Sequence, residues 1–190
     1  MTRPLGANRL LHIFGGEILN CEDSISEGFV LLTRYVHFER PPAAPIHKFV
    51  KRILIESGAI SLVLFPSPNS PKTSKDRALF LCSEFSVAET SILKDRALRN
   101  DLAHLDERLD NWAMSSQNKT FGRGMLGSRA DAAKIGLNSD DILGLFDTQR
   151  LVYSFRKNDV SIDELVGEVR SIAHSIRRKL KDLPWSEEAH

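Results

Sequence analysis

A chain of 190 residues with 42% hydrophobic and 27% charged side chains has the size and composition of one globular domain with its own core, which excludes disordered and disulfide-stapled classes. A net charge of +1 removes the broad basic field that coats nucleic acid without discrimination. Cys21 and Cys82 have no metal-ribbon spacing and suit a reducing compartment, and the longest apolar run, Ala59 to Phe65, is far short of the ~20 residues that span a bilayer.

Near the start, the apolar run from Leu10 to Phe14 contains His12 and is soon followed by Glu17, so it lacks signal-peptide shape and a cytoplasmic protein with no membrane contact is expected. Ser24 followed by Glu27 has the spacing of a reciprocal helix-opening pair and predicts a first helix that runs to about Glu39, where Pro41 and Pro42 stop it. Phe49, Val50, Ile53 and Leu54 stand at helical spacing and predict a second segment from Pro45 to Pro66, whose last stretch, Ile60 to Phe65, fits a strand equally well. Residues 66–77, rich in proline, serine and lysine, are expected as an exposed loop, followed by a short apolar patch from Ala78 to Phe85. Ser86 and Glu89 repeat the opening pair and predict a long central helix to about Ser115.

After it, residues 116–141 carry glycine, serine, asparagine and charge, and are expected as a loop with one helical turn near Ala130 to Ala133. Ile142 to Phe146 and Leu151 to Phe155 predict a β-hairpin around Asp147 to Arg150. A third opening pair, Ser161 and Glu164, starts a last helix whose inner face is Leu165, Val169, Ile172, Ala173, Ile176 and Leu180, ending before Pro184. The fold class expected is all-α, a mainly helical bundle in one domain over 1–190, with the 116–160 loop and hairpin inserted before the C-terminal helix.

The central helix carries the only string that hints at chemistry. Leu98, Leu102, Leu105, Leu109 and Trp112 recur at steps of four, three, four and three and define a core-facing stripe. Measured from that stripe at about 100° per residue, Asn100 and His104 fall on the opposite face, with Arg96, Arg99 and Arg108 around them. A histidine near neutral pKa exchanges a proton with a ribose 2′-hydroxyl or a leaving oxygen, and a guanidinium stabilises the extra negative charge on a phosphoryl group. Such chemistry needs neither metal nor cofactor. Arg40 and His47 have similar spacing, but Pro41, Pro42 and Pro45 keep them off one helix.

Arg99-Asn100 with His104 after three further residues is similar to the signature of the HEPN superfamily, α-helical bundle domains of which many are metal-independent ribonucleases. The likeness spans roughly residues 24–115 and the last helix. It implies an endoribonuclease in which His104 transfers the proton, Arg99 stabilises the phosphoryl group and Asn100 orients, with Arg96 and Arg108 helping to bind RNA. It also implies a homodimer with two such strings facing one cleft, a toxin or defence role, and an inhibitory protein partner. In one branch of the family a tyrosine stands two positions after the histidine and receives a nucleotide; Asp106 stands there in this chain, so that mode of silencing is not implied.

From another class stands a non-catalytic dimerisation, adaptor or RNA-binding module on the same scaffold, favoured by the near-neutral charge. Gly122 to Arg129 has phosphate-loop glycine spacing without the lysine and reads as a flexible loop. His174 with Arg170, Arg177, Arg178, Lys179 and Lys181 extends an RNA surface or, more simply, places cations at a helix C-terminus. His12, His37 and His47 show no metal-ligand spacing.

Overall fold

The computed structural model describes residues 6–95, 105–116 and 120–185, with Leu105 described by its backbone alone. Helices α1 (Ala7–Val36), α2 (Ala43–Leu64) and α3 (Lys72–Glu84) come first, followed by a 3-10 turn at Ile92–Lys94 and helix α4 (Leu105–Ser115). Then come β1 (Met125–Leu126), α5 (Arg129–Lys134), a second 3-10 turn at Ser139–Asp141, β2 (Leu145–Asp147), β3 (Val152–Phe155), β4 (Asn158–Ser161) and the last helix α6 (Ile162–Leu180). The protein is mostly helical, as the composition and periodicity lead one to expect, but the sheet has four strands where a hairpin was expected.

Helix α1 buries Ala7, Leu11, Gly15, Ile18, Glu22, Ile25 and Leu32, a stripe repeating every three or four residues. It therefore begins well before Ser24, and the expected start there is corrected. Mid-helix, Ser24 accepts from Arg52 Nε at 2.9 Å and donates to Glu56 at 3.3 Å, while Glu27 pairs with Arg52 at 2.7 Å. The Ser24/Glu27 spacing serves a polar seam between α1 and α2. Gly15 lets α6 lean in: a Cβ there would lie 3.1 Å from both Ile176 Cγ2 and Leu180 Cδ1. Along the same seam Arg177 reaches Glu22 at 2.6 Å and Asp23 at 3.2 Å. Burial pushes the Glu22 carboxyl up, but the bonds from Ser26 and Arg177 outweigh it and hold it below its ordinary range.

Helix α2 is continuous through Leu64, with Ile60, Ser61 and Leu64 buried, so the strand alternative for 60–65 falls. The loop after it is shorter than expected, because Pro71 stands at the N-cap position of α3, where the fixed φ of proline suits the helix entry. The Ser86/Glu89 opening pair is a further correction. Ser86 has φ 55, and the amides of Ser86 and Val87 bond back to Ser83 and Cys82 as α3 ends. No α-helix starts there; the serine that caps is Ser91, whose side chain accepts from the Leu93 amide ahead of the short 3-10 turn.

In the sheet, β1 pairs with β2 in parallel, and β2–β3 and β3–β4 are antiparallel. Phe146 stands opposite Tyr153 in register, and Leu145 opposite Ser154. Alternation sends Phe146, Tyr153 and Phe155 into the main helical core and Leu145 to the other side, where it packs with Ala132, Leu137 and Ile142. Strand β4 leads directly into α6, opened by Ser161, which accepts from the Glu164 amide at 3.3 Å. The inner face of α6 is Leu165, Val166, Val169, Ile172, Ala173 and Ile176, as the periodicity predicts. Among the described residues no helix is long and apolar enough to cross a membrane.

Candidate functional site

Arg96, Arg99, Asn100 and His104 lie outside the described residues. Arg108 lies in α4, half-buried, and Leu109 and Trp112 of the predicted stripe pack against the main core. The segments on either side of the string are each tied to the body by a buried or half-buried carboxylate. Ahead of it, Glu168 of α6 accepts from the Ser91 hydroxyl and from the Ile92 amide at 3.0 Å. Ser61 of α2 donates to the Leu93 carbonyl at 2.6 Å, and Leu93 itself is buried.

Behind the string, Asp141 does the same. Its carboxylate, 1% exposed, accepts from Trp112 Nε1 at 3.0 Å, from Ser116 Oγ at 3.1 Å and from the Asn138 amide at 3.3 Å. The Asn138 side chain in turn caps the amides of Asp140 and Asp141, so the 3-10 turn and the end of α4 form one polar joint. Phe121 meets the Trp112 ring edge-on, centroids 5.0 Å apart. None of these partners was legible beforehand, since Trp112 and Asp141 are 29 residues apart and share no local pattern.

A cleft of about 500 Å³ opens beside this joint, walled by Trp112, Ser115, Ser116, Asn138, Asp140 and Arg156. Arg156 occupies the two-residue turn between β3 and β4 with φ 52. Arg129 holds that turn from behind, donating to the Arg156 carbonyl at 2.7 Å and pairing with Asp159 at 2.6 Å. Burial pushes the Asp159 carboxyl up, but bonds from Arg129 and Ser154 and the nearby Arg129 and Arg150 charges draw it below its ordinary range. The Arg156 guanidinium then stands 3.3 Å from Asp140 Oδ1, and Lys157 Nζ 3.3 Å from Asp140 Oδ2.

The other motifs resolve structurally. Gly122 to Arg129 is an ordered strand edge: Gly122 bonds to Asp141 and Leu143, and a Cβ on Gly122 would fall 2.2 Å from Met125 Sδ. The expected flexible loop is corrected at those positions. His47 Nε2–H donates to the Met125 carbonyl at 2.9 Å, and its ring meets Tyr153 at 6.0 Å, joining α2 to the sheet. Burial lowers its pKa, Lys51 adds to the lowering, and the Met125 carbonyl opposes it. On α6, Arg170 lies over Phe29 and donates to Ser26, while Arg177 and Lys179 pair with acidic side chains. Those three cations are engaged within the chain; His174 is exposed.

Both cysteines are free, and burial is the largest cause that raises each thiol, Cys21 to about 11. Neither is a ready nucleophile at neutral pH. Among the described residues no group of three or more histidine, cysteine or acidic side chains is arranged to hold a metal ion.

The chain matches no protein-family model, no curated protein and no solved structure.

Proposed function

We propose that this protein is an endoribonuclease of the HEPN type that cleaves RNA without a metal ion. The observation that carries the reading is the Arg99-Asn100 pair with His104 on the outward side of a leucine stripe. One further fact supports it: in the described part of α4 the stripe residues Leu109 and Trp112 pack against the core.

The chemistry follows from the residue types. His104 takes the proton from a ribose 2′-hydroxyl; the freed oxygen bonds to the adjacent phosphorus, and the P–O5′ bond breaks. The products are a 2′,3′-cyclic phosphate and a 5′-hydroxyl, the latter receiving its proton from a protonated histidine. Arg99 holds the non-bridging oxygens as their charge grows, Asn100 orients them, and Arg96 and Arg108 bind flanking phosphates. Because the nucleophile belongs to the substrate, no activated water is needed. A second copy of the chain supplies the second histidine in a homodimer, an inhibitory protein partner restrains the toxin or defence activity, and the setting is cytoplasmic.

A non-catalytic RNA-binding or adaptor role is favoured by one observation, the net charge of +1, with Arg170, Arg177 and Lys179 already engaged within the chain. Purified protein incubated with mixed cellular RNA in EDTA separates the two. Cleavage by the wild type that is lost in both His104→Ala and Arg99→Ala supports the enzyme; cleavage unchanged in either variant, or none by the wild type, overturns it.

A further inference from the structure

We propose that the cleft beside Trp112 is a nucleobase subsite selective for guanine. The inference rests on the ribonuclease reading for its biological sense, since a splayed single-stranded base is what such an enzyme would need to hold. The cleft volume of about 500 Å³ accommodates a single nucleotide. Its lining holds two carboxylates, Asp140 and Asp141, against one guanidinium, Arg156, which suits an uncharged base better than a phosphate.

Three features define the ligand. Trp112 lines the cleft, its indole N–H held by Asp141, and aromatic surface of this kind takes a base whatever its identity. Beside it, Arg156 and Asp140 stand 3.3 Å apart and present a donor next to a pair of acceptors. The Watson–Crick edge of guanine runs acceptor, donor, donor: O6 meets the guanidinium, and N1–H and N2–H meet the carboxylate. Adenine and cytosine set lone pairs against that carboxylate, and uracil offers it one donor between two carbonyls. Both Asp140 ion pairs are long, at 3.3 Å, and its side chain is 45% exposed, so its oxygens have room to accept the base. Arg129, behind the turn, holds Arg156 in place.

The protein has two tryptophans, so Trp185→Phe leaves Trp112 as the sole indole reporter. In that background, titration with the 5′-monophosphates of guanosine, adenosine, cytidine and uridine should quench Trp112 emission, with guanosine monophosphate binding at least about tenfold tighter than the other three. Asp140→Asn, which puts an amide donor against N1–H, should erase the preference. Arg156→Gly, whose backbone suits φ 52, should fold normally and bind guanosine monophosphate about tenfold more weakly. No quenching by guanosine monophosphate up to about 10 mM, or equal quenching by all four nucleotides, overturns the inference.

Failure of the two readings is distinguishable. Guanine-selective quenching by a protein that cuts no RNA keeps the subsite and removes the nuclease. His104-dependent cutting without guanine-selective quenching keeps the nuclease and removes the subsite.

Discussion

Replacing Asp141 should release the end of α4 from the sheet. The carboxylate is 1% exposed and accepts from Trp112, Ser116 and the Asn138 amide. A buried bond to a charged acceptor contributes about 1.5–3 kcal/mol, and Trp112 and Ser116 are half-buried, so water recovers part of the loss. The sum for Asp141→Ala is about 3 kcal/mol, which in a domain of this size lowers Tm by roughly 6–12 °C. Asp141→Asn keeps one oxygen for Trp112 and Ser116 but turns an amide toward the Asn138 amide, and should cost about 1–2 kcal/mol. Urea unfolding followed by circular dichroism gives these differences, and a double-mutant cycle with Trp112→Phe should show a coupling of about 1–2 kcal/mol. Hydrogen exchange should locate the effect, with amides of residues 105–115 losing protection before those of α6. A cost under about 1 kcal/mol for Asp141→Ala, or additivity with Trp112→Phe, would refute this role of the Asp141 joint.

Adjacent glycines of α1 should respond with opposite signs. Gly16→Ala meets nothing within 4 Å and should stabilise by about 0.5–1 kcal/mol, whereas Gly15→Val drives into Ile176 and Leu180 and should destabilise by about 1–3 kcal/mol in thermal melts. His47 has a lowered pKa in the folded protein, so the unfolded chain binds the proton more readily; its contribution is present above the ordinary histidine pKa and is lost as pH falls through the lowered value. The urea midpoint should therefore drop between pH 7.5 and 5.5 in the wild type, and by less in His47→Gln; an equal drop in both would exclude His47 as the cause. Ser161→Ala removes the cap of α6 and should cost about 1 kcal/mol, while Ser24→Ala, in mid-helix, should cost less than half of that by the same unfolding measurement.

Helix α6 was legible because its cap and its apolar period agree, from Ser161 through Ile176. The part of α1 before Ser24 was not, because two of its buried positions hold Gly15 and Glu22. Each owes its place to α6: Gly15 to the close approach of Ile176, Glu22 to the charge of Arg177. Helix-opening spacings misled for a related reason. Ser24/Glu27 and Ser161/Glu164 look alike in the chain, and only packing decides which serine faces a helix start and which faces Arg52.

Strands β1 and β4 escaped because one has two residues and the other, Asn-Asp-Val-Ser, is largely polar. Of the proposed chemistry, the Arg99, Asn100 and His104 string is a local pattern and can be read directly. The carboxylates that bracket it, Glu168 and Asp141, act across 76 and 29 residues, and no local pattern announces them.

In the proposed reaction a ribose 2′-hydroxyl is the nucleophile and His104 takes its proton. The most direct measurement follows an RNA oligonucleotide, cut in EDTA at a mapped bond, beside the same oligonucleotide carrying one 2′-deoxyribose at that bond. The first should give a 2′,3′-cyclic phosphate by mass spectrometry, the second should not be cut at that bond, and neither should give product with His104→Ala. Cleavage at the deoxy position, or a linear phosphate formed at once without a cyclic intermediate, would contradict it.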